Sequence, residues 1–169
     1  TDEGTVAAVR AFLADYEGRA VIDADAMQVG PEVDTDATLL CTPHQGERRG
    51  MGGPSADDWR DRLDAVTDFA ADIGHTLLVK GAYDVISDGT ASRANRTGNP
   101  GMTVGGTGDV LAGMAGALLS TQEPADAATL AAYANGLAGD RIVDRQGYGL
   151  FATDLLPELP RALLGGRDD

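Results

Sequence analysis

Three short apolar segments constrain the fold of this chain most strongly, because each is followed at once by polar or glycine residues. They are AVID (20–23), TLLCTP (38–43) and TLLVKG (76–81). An unbroken apolar run of this length predicts a strand that is buried on both faces of a sheet. Helical spacing of apolar residues separates the runs. The chain therefore predicts an α/β fold with a mainly parallel sheet between two helical layers, in one domain over residues 1–169.

Further periodic segments complete the predicted element order. Helices are expected over residues 6–16 and 59–73, and a capping box of Ser55 and Asp58 precedes the second. The segment VISDGTASRANR (85–96) predicts a β-hairpin. Other helices are expected to begin at Asp109, Pro124 and Thr153, and the one long loop candidate is RRGMGGPSADD (48–58).

The composition excludes several classes of protein. A net charge of −14 and a pI of about 4.3 argue against nucleic-acid binding, because a polyanion would be repelled. No apolar segment is long enough to span a bilayer and the first residues lack a signal sequence, so a cytoplasmic protein is expected. The single cysteine, Cys41, lies in an apolar run and is expected to fill the core rather than to act as a nucleophile.

The charged residues are unusual in kind. Of the 27 acidic residues 21 are aspartates, and arginine supplies 12 of the 13 cations, which leaves Lys80 as the one lysine. Adaptation to high salt is one interpretation, because screening removes self-repulsion, and a solvated acidic surface is the other. On either interpretation, the position of Lys80 at the end of an apolar run marks it as a candidate functional residue.

The residues that end the predicted strands are candidates for a binding site, because ligands of such sheets gather beyond the carboxyl ends of the strands. The first strand ends at Asp23 and Asp25, the second at His44 and Glu47, and the third at Lys80. Simpler roles stay open for most of them. His44, Asp23 and Asp25 are also suited to capping a turn or a helix, and Lys80 to orienting the backbone.

The segment NPGMTVGGTGDVLAGMAGALL (99–119) places several glycines directly before a predicted helix. Gly105, Gly106 and Gly108 let backbone amides approach a ligand closely, and the helix dipole adds positive potential, so the segment predicts a phosphate site. It lacks the Lys-Ser/Thr pair of a Walker A loop and the context of a dinucleotide fingerprint. Asp109 is placed to accept a proton from a hydroxyl there, although a first-turn acid is also a common helix cap.

Several motifs, taken in order, resemble those of the ADP- or ATP-dependent NAD(P)H-hydrate dehydratases, which have a ribokinase-like fold. The motifs are TPHQGE (42–47), LVKGAYDVI (78–86) and NRTGNPGMTVGGTGDVLAG (95–113), and VIDADAM (21–27) and YGLFATDLLPELP (148–160) are also similar. The resemblance implies a three-layer α/β/α fold and the removal of water from hydrated NADH or NADPH (NADHX or NADPHX) with ADP or ATP. It also implies Mg²⁺, a homo-oligomer and an NAD(P)HX epimerase, either fused or separate.

The same resemblance assigns roles to residues of this chain. Asp109 matches the acidic residue beside the substrate and is the expected catalytic base, and His44 matches a substrate-binding histidine. Glu47 and Asp25 are expected to help hold Mg²⁺, through water. The expected nucleotide- and phosphate-binding residues are Lys80, Gly81, Ala82, Tyr83, Asp84, Gly105, Gly106, Thr107 and Gly108.

Departures from the family pattern leave two alternatives. Asp84 stands where the family usually has Thr, which removes a hydroxyl that could contact the nucleotide. The chain begins just after a glycine-rich segment of the family, which predicts a domain that is incomplete at its N-terminus.

One alternative function is a vitamin-precursor kinase of the same fold, of the hydroxymethylpyrimidine type, although its TPN motif differs from the chain at His44. The other is a nucleotide-binding module without catalytic activity.

Overall fold

The computed structural model describes residues 2–53 and 58–165, and a five-stranded sheet forms its centre. The strands are β1 (Arg19–Ile22), β2 (Thr38–Cys41), β3 (Thr76–Val79), β4 (Asp84–Ser87) and β5 (Ser92–Asn95). The helices are α1 (Glu3–Ala14), α2 (Gln45–Gly50), α3 (Trp59–Ile73), α4 (Thr107–Leu119), α5 (Pro124–Gln146), α6 (Ala152–Leu155) and α7 (Leu159–Leu164). Short 3₁₀ helices cover Ala24–Gln28, Gly30–Glu32 and Pro100–Met102. Among the described helices, none has the length and apolar character needed to cross a membrane.

The sheet keeps its strands in chain order, from β1 at one edge to β5 at the other. β1, β2 and β3 pair in parallel, and β4 is antiparallel to both of its neighbours. All strands except β4 therefore run in the same direction, and β4 and β5 form the predicted hairpin. The carboxylate of Asp88 stabilises its turn by accepting hydrogen bonds from the amides of Thr90 at 2.9 Å and Ala91 at 3.0 Å.

Alternate strand residues supply two cores, one on each face of the sheet. Leu40, Leu78 and Ile86 pack against residues of α4, α5 and α7. Leu39 and Leu77 pack on the opposite face against residues of α1 and α3. Every residue of β3 is buried, which is the pattern of a strand covered on both faces. The predicted α/β fold with three layers is confirmed.

The structure confirms the predicted position of Cys41 and corrects the loop predicted over residues 48–58. Cys41 is fully buried, and burial raises the pKa of its thiol to about 12, which confirms its place in the core. The loop predicted over residues 48–58 is wrong in its first part, because a capping interaction starts α2, which continues to Gly50. Asp58 caps α3 with its carboxylate, whereas Ser55, the other half of the predicted capping box, lies outside the described residues.

The buried position of Leu78 predicts a large cost for its truncation. Leu78 is fully buried in β3, so we expect Leu78→Ala to lower the free energy of unfolding by about 2–5 kcal/mol through lost burial and a residual cavity. Leu130→Ala is the matched control, because Leu130 is 37% exposed on α5 and should cost less than about 1 kcal/mol. Urea unfolding measures both values, and equal losses would contradict the placement of Leu78.

Candidate active site

A groove of about 780 Å³ opens where the carboxyl ends of the strands meet the N-terminus of α4. Its volume is in the range of sites for small molecules and cofactors. The loop between β3 and β4 forms one wall, the segment before α4 forms another, and α5 contributes a third side. The predicted site residues in its lining are His44, Lys80, Gly81, Ala82, Asp84, Thr107 and Gly108.

Lys80 lies at the junction of three strand ends. Its Nζ donates a hydrogen bond to Oδ1 of Asp23 at 2.7 Å, and the hydroxyl of Thr42 donates to the same oxygen at 2.8 Å. The backbone amide of Lys80 donates to the carbonyl of Pro43 at 2.8 Å. Asp23 thus does not cap the 3₁₀ helix that follows it with its side chain. The predicted convergence of polar residues at the strand ends is confirmed.

Asp84 is the first residue of β4, and its carboxylate accepts a hydrogen bond from the loop that follows Lys80. Its Oδ1 accepts a hydrogen bond from the amide of Gly81 at 3.1 Å, and its Oδ2 accepts one from Nδ2 of Asn95 at 3.0 Å. Burial raises the pKa of Asp84 above its ordinary value, although these hydrogen bonds and the charges of Arg62 and Lys80 act in the opposite direction. A partly desolvated carboxyl group therefore forms part of the groove wall.

Two buried arginines, Arg48 on α2 and Arg62 on α3, interact electrostatically with each other, and Arg62 lies behind that loop; the sequence analysis missed both. Arg48 is 1% exposed and Arg62 is 4% exposed, and within the described parts of the chain Nε and Nη1 of each have no hydrogen-bond partner. A Cβ atom on Gly81 would lie 2.7 Å from Nη1 of Arg62, so this guanidinium packs directly against the loop. Burial, followed by the charges of Arg62 and Arg49, lowers the pKa of Arg48. Positive charge is thus concentrated behind one wall of the groove.

The turn before α4 has the geometry that its glycines predict. Gly106 has a φ of +95°, in the left-handed region that glycine adopts without strain. The hydroxyl of Thr107 donates to the carbonyls of Met102 at 2.9 Å and Val104 at 3.0 Å, which orders the turn. A Cβ atom on Gly108 would lie 3.7 Å from Nζ of Lys80. The positive end of α4 therefore lies beside the Lys80 ammonium group.

Asp109 follows this turn but stands outside the groove lining. Thr107 and Gly108 line the groove, whereas Asp109 is exposed in the first turn of α4. An acid at this position stabilises the helix through its dipole, whatever else it does. The catalytic role of Asp109 stays a prediction.

His44 is the N-cap of α2, which confirms the simpler of its two expected roles. Its Nδ1 accepts a hydrogen bond from the amide of Glu47 at 3.0 Å, and Oε2 of Glu47 accepts one from the amide of His44 at 2.7 Å. Because Nδ1 is an acceptor, the proton of the neutral ring lies on Nε2. The side chain is 59% exposed at the groove, so Nε2 is able to donate to a ligand while Nδ1 caps the helix.

Asp25 and Glu47, which were expected to help hold Mg²⁺, lie together in the lining of a second cavity of about 190 Å³. Asp25 is exposed, and one oxygen of Glu47 is engaged with the amide of His44. Within residues 2–53 and 58–165, no group of three or more His, Cys, Asp or Glu side chains is placed to hold a metal ion. This set of donors fits Mg²⁺ only where phosphate oxygens and water complete the coordination.

Three residues predicted to bind the nucleotide are not in the groove lining. The ring of Tyr83 packs edge-on against that of Trp59, with 5.7 Å between the ring centroids. Gly105 and Gly106 belong to the turn before α4, and a Cβ atom on Gly106 would lie 2.9 Å from Cβ of Ala152. The Tyr83 side chain therefore supports the loop between β3 and β4, and the two glycines shape the turn.

Some lining residues were not assigned by the sequence analysis. They come from α5, from α4 and from the segment that precedes α4. Asp140 on α5 holds this segment, because its carboxylate accepts hydrogen bonds from the amide of Gly98 at 3.0 Å and from Nδ2 of Asn99 at 2.8 Å. The motif at 95–113 could have identified the segment as part of the site, whereas nothing in the alanine-rich sequence of α5 indicates a site. The unassigned lining residues are Thr97, Gly98, Asn99, Pro100, Met102, Thr103, Val104, Leu111, Ala132, Asn135 and Gly136.

A model of the NAD(P)H-hydrate dehydratase family matches residues 1–161. The chain belongs to this family. A bifunctional NAD(P)H-hydrate repair enzyme Nnr from Pyrobaculum aerophilum is 42% identical over 166 residues, which are 96% of this chain and 33% of that protein. An ADP-dependent (S)-NAD(P)H-hydrate dehydratase from Cenarchaeum symbiosum is 39% identical over 155 residues, which are 89% of this chain and 54% of that protein.

Solved structures share the fold. An ADP/ATP-dependent NAD(P)H-hydrate dehydratase from Bacillus subtilis, co-crystallised with ATP and Mg²⁺ and soaked with CoA, superposes with a TM-score of 0.83 at 28% identity, over 97% of this chain and 62% of that chain. A ribokinase-like superfamily protein from Enterococcus faecalis V583 gives 0.81 at 24% identity, over 98% of this chain and 60% of that chain. The ribokinase-like fold is therefore confirmed. The chain spans only about a third of the bifunctional relative and about half of the archaeal dehydratase.

The partly buried carboxyl group of Asp84 predicts a pH-dependent stability. Because its folded pKa is raised above its unfolded value, the folded state binds the proton more tightly and ionisation of Asp84 destabilises it. We expect this contribution to lower the free energy of unfolding as the pH rises from about 4 through the folded pKa. The variant Asp84→Thr removes the titration. The difference in unfolding free energy between the two proteins, measured by urea titration at several pH values, should change with pH, and a constant difference would contradict the assignment.

Proposed function

We propose that this chain removes water from hydrated NADH or NADPH in a reaction that consumes ADP or ATP and restores the reduced cofactor. The family match over residues 1–161 carries the proposal. The groove supports it, because the positive end of α4 lies beside Lys80, an arrangement suited to nucleotide phosphates. The Cenarchaeum relative is an ADP-dependent dehydratase and the Bacillus relative an ADP/ATP-dependent one, in keeping with the proposal.

Hydroxide is a poor leaving group, so the first step that we infer is transfer of the terminal phosphoryl group to the hydroxyl of the hydrated ring. Asp109 accepts the hydroxyl proton while the new P–O bond forms and the bond to the bridging oxygen of the nucleotide breaks. Backbone amides of residues 105–108 stabilise the charge on the transferred group. Phosphate then leaves with the electrons of the C–O bond, assisted by the lone pair of the ring nitrogen. Loss of a proton from the adjacent carbon restores the double bond.

We assign the positive side of the groove to the nucleotide and His44 to the hydrated ring. Lys80 would contact the phosphates, and its ion pair with Asp23 holds the ammonium group in place. Mg²⁺ would neutralise further phosphate charge, with Asp25 and Glu47 reaching it through water. His44 would donate a hydrogen bond to the substrate from Nε2, which lies 3.6 Å from Oε1 of Glu47 on a side chain that is 59% exposed.

The exposure of Asp109 favours a second candidate function, which is nucleotide binding without turnover. A general base acts only within hydrogen-bond reach of the proton that it accepts, and an exposed carboxylate is also hydrated by water. This candidate keeps the phosphate site at the turn before α4 and at Lys80. It omits the chemical step at Asp109.

Calorimetry with ADP and an assay of hydrated NADH separate the two candidates. Dehydration restores the absorbance of the dihydronicotinamide ring, so turnover is followed directly. We expect ADP to bind and dehydration to require both a nucleotide and Mg²⁺. Binding without dehydration would support the second candidate, and phosphorylation of hydroxymethylpyrimidine in place of dehydration would contradict the proposal.

Two proposals about partners accompany this function. A homo-oligomer is expected from the resemblance to the family, and sedimentation velocity would measure its size. An NAD(P)HX epimerase, fused or separate, is expected to supply the correct substrate epimer, and the bifunctional relatives are in keeping with such a second activity.

Asp109→Asn tests the catalytic base. The variant keeps the size of the side chain but is unable to accept the hydroxyl proton, so we expect the dehydration rate to fall by about 10²-fold or more with ADP affinity unchanged. Asp126→Asn is the matched control, because Asp126 is the first-turn acid of α5 and lies outside the groove lining. A wild-type rate in Asp109→Asn would show that Asp109 only stabilises its helix.

Gly106→Ala tests the turn before α4. At a φ of +95° an alanine is strained, and its Cβ would lie 2.9 Å from Cβ of Ala152. We expect a loss of about 1–3 kcal/mol of stability and ADP binding weakened about tenfold or more. Gly113→Ala, in the same helix with no atom within 4 Å of the new Cβ, should leave ADP affinity unchanged. Calorimetric titration measures both affinities, and equal affinities would argue against a phosphate site at the turn.

A further inference from the structure

Asn135 on α5 is a buried polar side chain to which the proposed reaction gives no role. The residue is 6% exposed and lines the groove. Its Oδ1 is buried and, in the part of the chain that the structure describes, has no hydrogen-bond partner. Buried amide oxygens in folded proteins almost always accept a hydrogen bond. A donor from a bound ligand would satisfy this atom.

The groove around Asn135 is mainly apolar. Its neighbours on α5 within the lining are Ala132 and Gly136, and Leu111 and Met102 line the groove as well. A Cβ atom on Gly136 would lie 2.6 Å from the carbonyl carbon of Thr97, so α5 and the segment before α4 approach each other closely. A flat ring with a polar edge suits a space that has small side chains, apolar walls and one carboxamide.

The charged groups of the groove lie on elements other than α5. Lys80 and the turn before α4 supply its positive charge, and they suit phosphates. A nucleotide has a charged end and a flat heterocyclic end, and these two chemistries match the two parts of the lining. A carboxamide presents an acceptor and a donor side by side, which is the complement of an exocyclic amine beside a ring nitrogen in adenine.

We propose that Asn135 determines the base specificity of the nucleotide site, its carboxamide accepting a hydrogen bond from the exocyclic amine of adenine and donating one to the neighbouring ring nitrogen. This inference rests on the proposed function for the presence of a nucleotide. It adds the residue that recognises the base, on a helix that the reaction does not otherwise use.

Binding measurements on the full chain with Asn135→Leu test the proposal. The probes are ADP, purine riboside diphosphate, which lacks the amine, and inorganic pyrophosphate, which lacks the base. We expect Asn135→Leu to bind ADP about tenfold or more weakly and to bind pyrophosphate as the wild type does, because the lost hydrogen bonds concern the base alone. Wild-type protein should prefer ADP to the riboside, and the variant should not.

A second variant reverses the preference. Asn135→Asp presents two acceptors, which match the N1–H and exocyclic amine of guanine and repel the ring nitrogen of adenine. We expect its ratio of ADP affinity to GDP affinity to fall by about tenfold or more relative to the wild type. Tyr133→Phe is the control on α5, because that side chain is 48% exposed and outside the groove lining, and its ADP affinity should be unchanged.

The outcomes separate this inference from the proposed function. Wild-type ADP affinity in Asn135→Leu, or an unchanged ADP-to-GDP ratio in a folded Asn135→Asp, would overturn the role of Asn135 while nucleotide binding stands. A wild-type chain that binds neither ADP nor pyrophosphate would overturn the proposed function and this inference together. Equal loss of ADP and pyrophosphate binding in Asn135→Leu would show that the residue supports the fold of the groove and does not recognise the base.

Discussion

The ion pair between Lys80 and Asp23 is the interaction on which the geometry of the site depends. It joins the end of β3 to the end of β1 across β2, and the hydroxyl of Thr42 from β2 donates to the same carboxylate oxygen. Taking two charges out of water is costly, and only close geometry with additional hydrogen bonds compensates for it. The pair meets that requirement, and it fixes the ammonium group beside the first turn of α4. The ammonium group thus holds a defined position beside the phosphate site that we propose.

The positive side of the groove is built mainly from groups that are not exposed cations. The chain has a net charge of −14, and its one lysine is already paired with Asp23. Helix α4 adds the partial charge of its free amides, and Arg62 lies directly behind Gly81. Asp84 opposes these charges from the same wall, and burial favours its protonated form. A protein with a net charge of −14 thus places its one lysine, the positive end of α4 and Arg62 around one groove.

The strands and the positions of their polar ends were predictable because both signals are local. A short apolar run that leads to Asp23, His44 or Lys80 predicts a buried strand with a polar end, and the pairing of parallel strands brings those ends together. Helix α2 was missed although His44 and Glu47 form a capping box, because histidine is an unusual cap. Asn135, Arg48 and Arg62 depend on tertiary packing, since nothing in the spacing of α5, α2 or α3 shows which side chains lose contact with water.

The exposure of Asp109 agrees with the proposed group transfer if, as we propose, the nucleotide lies with its base near Asn135. In that proposed orientation the phosphates would extend toward Lys80 and Gly108, and the terminal phosphoryl group would lie nearest to the residue that follows Gly108. The hydrated ring would approach that phosphorus from the open side of the groove, where the exposed side chain of His44 lies. A base that accepts a proton from the incoming hydroxyl is therefore needed at the boundary of the groove. Asp109, one residue beyond the lining, stands at that boundary.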